Sequence, residues 1–317
     1  MRTLILGGAG FLGRSFLRHH LAAGDSVTAV DDLSSAGAYW PKGGYRRIED
    51  DAAAVLGHWG VHPEGFDVAY QFAAPVGGRT KIEGDPLYNA DSLRLDAAFF
   101  RWAPGNVKRA VYPSSSAVYP VTAQVEDGMP LREDMVDPEA GAGGAPDEMY
   151  GFTKLAGEVL ASKAAKYGLD TLVLRPFSGY GEEQSFDYPI PSICRRVVNR
   201  EDPLVIWGSG HQRRDLIHVD DIVAATTIVA ANPNVTGAYP VNLGSGVPLS
   251  FIDIARIAAG IEGYRPEIVT DESKPVGVSS RYANIARMFN HYSPRITPEE
   301  GLRRVMDSIR GRKEVSA

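Results

Sequence analysis

Residues 2–13 read Arg-Thr-Leu-Ile-Leu-Gly-Gly-Ala-Gly-Phe-Leu-Gly. A short apolar run, Arg2 to Leu6, ends in the glycines, and a helical stretch from Arg14 to Ala23 follows. Strand, glycine-rich turn, helix is the context in which glycine spacing carries meaning. Gly8, Gly10 and Gly13 satisfy G-x-G-x-x-G, while Gly7, Gly10 and Gly13 satisfy G-x-x-G-x-x-G. With no side chains in the way, backbone N–H groups of this turn, through Phe11 and Leu12, approach a pyrophosphate at the helix N-terminus. A tight turn without a ligand has the same local sequence, so the next elements decide.

The second strand, Ser26 to Val30, ends in Asp31-Asp32, and Asp31 stands 18 residues after Gly13. A carboxylate there binds the adenosine ribose and repels a 2′-phosphate, which favours NAD over NADP. Arg46 to Asp51 reads as a third strand whose acidic end, Asp50 included, reaches the adenine. Asp67 to Phe72 is a fourth, and Phe72, Ala73 and Ala74 at its carboxyl end let the cofactor approach closely. A helix from about Pro86 to Trp102 carries Leu93, Ala97 and Phe100 as a core or subunit-contact stripe. Arg109 to Pro113 leads into Ser114, Ser115 and Ser116, hydroxyls expected beside the nicotinamide, and Thr171 to Leu174 is a sixth strand.

These elements predict an α/β fold, a Rossmann-type doubly wound parallel sheet over residues 1–175. Past Arg175-Pro176 the alternation stops, and residues 176–317 read mainly as a smaller lobe, with 215–247 returning to the first domain. Asp220 is the expected N-cap of a helix from Ile222 to Ala231, and Val241 to Leu243 one more strand. Residues 120–149, rich in Pro, Gly and acid, read as a loop over the site.

Composition bounds the function. The 317 residues are 44% hydrophobic and 23% charged, as in ordinary globular proteins. A net charge of −6 argues against binding nucleic acid or an anionic membrane. Nothing approaches 18 consecutive apolar residues, and the single cysteine, Cys194, excludes an intrachain disulfide, so a cytoplasmic location is expected. Cys194 itself reads as a small buried apolar residue, and no metal cluster is expected.

Tyr150 and Lys154 lie four apart, one helical turn, on a helix expected to run to about Tyr167. From that position an ammonium favours a phenolate and can reach a nucleotide's hydroxyls. Such a tyrosine takes a proton from a carbinol while the hydride leaves for a nicotinamide. Tyr and Lys at this spacing also occur on many solvated helices; the glycine turn and the serine cluster raise the pair above that background.

Together these residues resemble the extended short-chain dehydrogenase/reductases that act on nucleotide-sugars. The resemblance runs through GGAGFLG at 7–13, Asp31, SSSAVY at 114–119, YGFTK at 150–154, RPFSGYG at 175–181, GSGHQRRDLIHVDD at 208–221 and NLGSG at 242–246. It implies NAD as cofactor, a nucleotide-diphosphate sugar as substrate and a homodimer. It also implies Ser115, Tyr150 and Lys154 as the catalytic triad, and Arg214 and Arg281 as holders of the diphosphate. Gly77, Gly78, Arg79, Ser116 and Ser178 are the remaining substrate candidates, Ser178 standing in place of the usual Asn.

Residues 72–82 and 118–120 look most like the GDP-mannose 3,5-epimerases. The cysteine of their acid–base pair is replaced here by Ala117, and no lysine lies between Lys166 and Lys274. Where the 4,6-dehydratases carry Asp-Glu, this chain has Ser116 and Ala117. The chemistry left is 4-epimerisation through a transient 4-keto sugar, with Tyr150 as base. The alternatives are a 3,5-epimerase or 4,6-dehydratase using other acids and bases, an NAD-dependent reductase, and a cofactor-sensing protein. Sensors of that kind typically lack the Tyr/Lys pair.

Overall fold

The computed structural model describes residues 1–315 apart from 36, 63, 79–80, 82–83, 86, 141–142 and 275. Six strands, β1 (Arg2–Leu6), β2 (Ser26–Asp31), β3 (Arg46–Glu49), β4 (Phe66–Gln71), β5 (Val107–Pro113) and β6 (Asp170–Pro176), alternate with helices. The helices are α1 (Phe11–Ala22), α2 (Ala52–Trp59), α3 (Asp91–Trp102) and α4 (Glu148–Ala165). β7 (Ser178–Tyr180), α5 (Pro189–Val198), β8 (Leu204–Trp207), β9 (Arg213–His218), α6 (Val219–Ala230) and β10 (Ala238–Leu243) follow. The chain ends with β11 (Pro248–Ser250), α7 (Phe251–Ile261), β12 (Ile268–Asp271), β13 (Ser280–Arg281), α8 (Ala286–Phe289) and α9 (Pro298–Val315).

The central sheet has seven strands in the order β10-β6-β5-β4-β1-β2-β3. Every pairing in it is parallel. Alternation along the strands loads both faces, as a parallel sheet covered on both sides requires. Leu4 and Leu6 pack with Leu56, Phe99 and Ala161 on one side, while Ile5 joins Phe16, Leu172 and Ile222 on the other. The order reverses between β1 and β4, so their carboxyl ends open a crevice at the switch point.

β10 lies on the edge of this sheet beside β6, and β9 does not enter it. β9 instead pairs with β11 and β13 at its start and with β7 at its end. A separate core of Ile193, Cys194, Leu216, Ile254, Leu302 and Met306 joins α5, α7 and α9. Cys194 is fully buried there, and burial pushes its thiol up to about 12.

Three local readings change. α6 begins at Val219, and His218, not Asp220, is its cap: the ring Nδ1 accepts from the Asp220 amide at 3.2 Å. On α3 the buried face is Leu95, Asp96, Phe99 and Phe100, with Ala97 outside. Residues 120–149 are not a free cover, since Leu131 and Val136 form a small core with Tyr119, Phe177 and Ala283. Among the described residues no helix is long and apolar enough to cross a membrane.

Candidate active site

A cavity of about 1190 Å³ opens at the switch point and continues under the smaller lobe. Its first end is built from backbone. Gly7 has φ +78° and sits against Phe72, where a Cβ would come within 2.5 Å of the Phe72 carbonyl carbon. A Cβ on Gly13 would meet the Gly7 carbonyl oxygen at 2.0 Å, so only glycine lets α1 start this close to β1. The wall runs from Gly7, Gly10, Phe11, Leu12 and Gly13 to Asp31 and Asp32, and across to Phe72, Ala73, Ala74 and Ser114. Asp31 accepts from the amides of Ala9 (3.0 Å) and Leu33 (2.8 Å). Burial raises its pKa, and those amides work against the rise.

Asp50 lies off this wall. It is exposed at the strand end, and the carboxylate on the wall is Asp51, which caps α2 and pairs with Arg94 at 2.7 Å. The cleft fits a dinucleotide: an α-helix N-terminus free of side chains for the pyrophosphate, and a carboxylate at the end of β2 for the ribose.

At the carboxyl end of β5, Ser115, Ser116, Tyr150 and Lys154 share the same cavity. Ser115 starts a short 3₁₀ turn, its Oγ accepting from the Ala117 amide at 3.1 Å, which leaves its own proton to donate. Lys154 is buried, with Nζ 5.9 Å from the Tyr150 ring centroid and 5.5 Å from that of Tyr112. Ala117 is buried off the wall, its carbonyl taken by the Asp147 amide at 2.9 Å.

Beneath Lys154 lie two buried carboxylates absent from the sequence-based site. Asp96 accepts from Tyr112 Oη (2.7 Å) and Gln71 Nε2 (3.1 Å). Burial raises its pKa, and the Lys154 ammonium is the chief opposing influence. Gly157 admits the contact, since a Cβ there would overlap the Tyr112 hydroxyl at 1.9 Å. Glu158 accepts from Ser114 and holds the fully buried Arg175 through two bonds of 2.9 and 2.6 Å. The sequence signal was available: Asp96 lies between Leu95 and Phe99 on the apolar face of α3.

The far end is made of side chains from distant segments. β9 and β13 pair with Arg214 opposite Arg281, so the two arginines sit side by side on the wall. Arg281 is already engaged: it binds Asp147 at 2.5 Å and donates to Gln124. Arg214 donates to the Arg213 carbonyl at 2.8 Å and lies 5.5 Å from the Phe251 ring. Gly77 and Ser178 line this end. Gly78 does not; it packs on the Asp187 carbonyl, where a Cβ would fall 2.0 Å from the oxygen. Arg79 lies outside the described residues. Lys81, Tyr88 and Tyr188, none of them named as a site candidate from the sequence, also face the cavity, with Lys81 Nζ 4.4 Å from the Tyr88 ring. Among the described residues no group of three or more His, Cys, Asp or Glu could hold a metal.

Known proteins place this architecture. The chain is 28% identical over 340 residues to the low-salt glycan biosynthesis protein Agl12 of Haloferax volcanii, covering 99% of this chain and 100% of the relative. Among solved structures, MoeE5 in complex with UDP-glucose and NAD is 28% identical with a TM-score of 0.80, over 99% of this chain and 100% of that one. TunA, an NAD-dependent NDP-hexosamine 5,6-dehydratase of tunicamycin biosynthesis, is 25% identical with a TM-score of 0.82, over 98% of each chain. The model of the NAD-dependent epimerase/dehydratase family matches residues 3–244, from the first strand through the edge strand β10. The glycine turn, the Asp31 carboxylate and the Ser115, Tyr150, Lys154 cluster thus belong to an enzyme of the NAD-dependent epimerase/dehydratase family.

Proposed function

We propose that the chain carries out redox-neutral chemistry at C4 of a hexose held on a nucleoside diphosphate, and that the reaction is 4-epimerisation. The observation that carries this reading is an intact Ser115, Tyr150, Lys154 cluster on a cavity wall with no carboxylate at Ser116 or Ala117. Ser115 donates to O4 and Tyr150 takes its proton. Lys154, one turn along α4 with its ammonium 5.9 Å from the Tyr150 ring, holds the nicotinamide ribose. Bound NAD supplies the acceptor and later the donor of the C4 hydrogen. The 4-keto sugar turns over between the two transfers, and Tyr150 returns the proton to O4. Arg214 and Arg281 hold the diphosphate, so the pivoting sugar stays tethered.

The assay is NMR of a panel of nucleoside-diphosphate hexoses incubated with the enzyme. A 4-epimer formed without net change in absorbance at the NADH wavelength supports the reading. Stoichiometric NADH release, or a need for added reduced cofactor, overturns it in favour of a dehydrogenase or reductase.

A second reading has its own observation. Lys81, Tyr88 and Tyr188 put protic groups on the sugar end, and TunA is a 5,6-dehydratase. After oxidation at C4, one such group would take the C5 proton and another would protonate the departing O6 hydroxyl, which leaves as water, before the hydride is returned to C4 of the 5,6-alkene. The family habit of dimerising, with Phe152 half exposed on α4 beside α3, supports a two-helix contact between copies. Light scattering at the monomer mass of 34.2 kDa would refute that dimer.

A further inference from the structure

The adenosine end holds a cluster that the dinucleotide turn does not account for. Arg14, the first residue after Gly13, is buried, and its Nη1 donates to the carbonyls of Ala9 and, at 3.2 Å, Gly37. The Ala9 amide donates to Asp31. One residue therefore separates the Arg14 guanidinium from the carboxylate that faces the ribose. Arg18 follows one turn later on α1 and donates to Tyr39 Oη at 3.1 Å. Arg14 stacks on the Tyr39 ring at 4.3 Å. A guanidinium on the cavity wall near the ribose carboxylate, with a second joined to it through Tyr39, is what a 2′-phosphate would want.

Both are occupied. Glu183, from the loop that follows β7, crosses from the smaller lobe and accepts from Arg14 Nε (3.0 Å), Arg18 Nη2 (2.5 and 2.7 Å) and Tyr39 Oη (2.7 Å). Its carboxyl is held down to about 2 by those donors, against the opposing effect of burial. Arg14, Tyr39 and Glu183 all line the cavity with Asp31. The local count is two arginines against three carboxylates, Asp31, Asp32 and Glu183.

We propose that Glu183 is a cofactor-specificity residue: by occupying Arg14 and Arg18 it denies them to a 2′-phosphate and so excludes NADP. Asp31 repels the phosphate from one side, and Glu183 removes its counterions on the other. The inference rests on the NAD site and not on which sugar reaction follows.

The test equilibrates wild type and Glu183→Gln with NAD and NADP at equal concentration, then releases and quantifies the bound cofactor. Glu183→Gln should raise the NADP:NAD ratio at least tenfold by removing the negative charge that both arginines neutralise, without changing side-chain size. An unchanged or lower ratio overturns the proposal and leaves Glu183 as a strap between the lobes. Arg18→Ala gives a second reading through an exposed position whose loss the fold tolerates. It leaves Glu183 with one arginine and should lower the ratio at least threefold. A ratio equal to or above wild type would overturn the proposal from that side.

Discussion

The two ends of the cavity are built by different means. At the cofactor end the wall is the carboxyl edge of the sheet: Gly7 and Gly13 touch backbone to backbone, and Asp31 is held by two amides. At the sugar end the wall is a set of side chains from segments far apart in sequence: Lys81, Tyr88 and Tyr188 between the main elements, and Arg214 and Arg281 on the short strands β9 and β13. Backbone geometry fixed by seven parallel strands leaves little freedom at the cofactor end. Side chains on loops are free to vary, and the reaction varies with them.

The largest effect that would separate the two ends is on Tyr150, where they meet. Tyr150→Phe should cut kcat by roughly 10²–10⁴, as for the loss of a general base, with NAD retention unchanged. Loss of bound NAD in that variant would move Tyr150 from the chemistry to the cofactor wall.

Next is Arg214→Ala. A lost charged hydrogen bond should weaken sugar-nucleotide binding by roughly 1.5–3 kcal/mol and leave NAD untouched. Equal weakening of both ligands, by calorimetry, would show that the ends are not separable. Arg281→Ala should add a stability loss, because it removes a largely buried ion pair to Asp147 just ahead of α4.

The smallest effect is on acid stability. Glu183 has a folded-state value near 2 against 4.5 for a free carboxyl. A depressed carboxylate contributes stability that is fully present above pH 4.5 and disappears as the pH falls toward 2. Wild type should therefore lose stability in that window more steeply than Glu183→Gln, measured by denaturant titration at several pH values. Parallel slopes would mean the cross-lobe cluster carries no linkage.

The same contrast explains what the sequence made legible. Glycine spacing and a carboxylate at a strand end are local signals, so the cofactor wall could be read except at Asp50, where the strand stops at Glu49 and Asp51 caps α2 instead. Tyr150 and Lys154 could be placed together because they share a helix. The Glu183 cluster was not, because its members meet only when the loop after β7 folds back on α1. Nor was the engagement of Arg281, whose partners Asp147 and Gln124 belong to a segment that reads as a plain loop. The sugar end stayed open for the same reason: Lys81 and Tyr88 face the cavity with no spacing to announce it.

The central claim is that hydrogen moves only at C4 and O4, and conversion in D₂O tests it most directly. The account predicts a 4-epimer with no deuterium on any carbon, because the C4 hydrogen never exchanges with solvent. Loss of water across C5 and C6, leaving either a 5,6-alkene or, after hydride transfer to C6, deuterium at C5, would contradict it in favour of dehydration aided by Lys81, Tyr88 or Tyr188. Deuterium at C3 or C5 without loss of water would contradict it in favour of enolisation at those carbons.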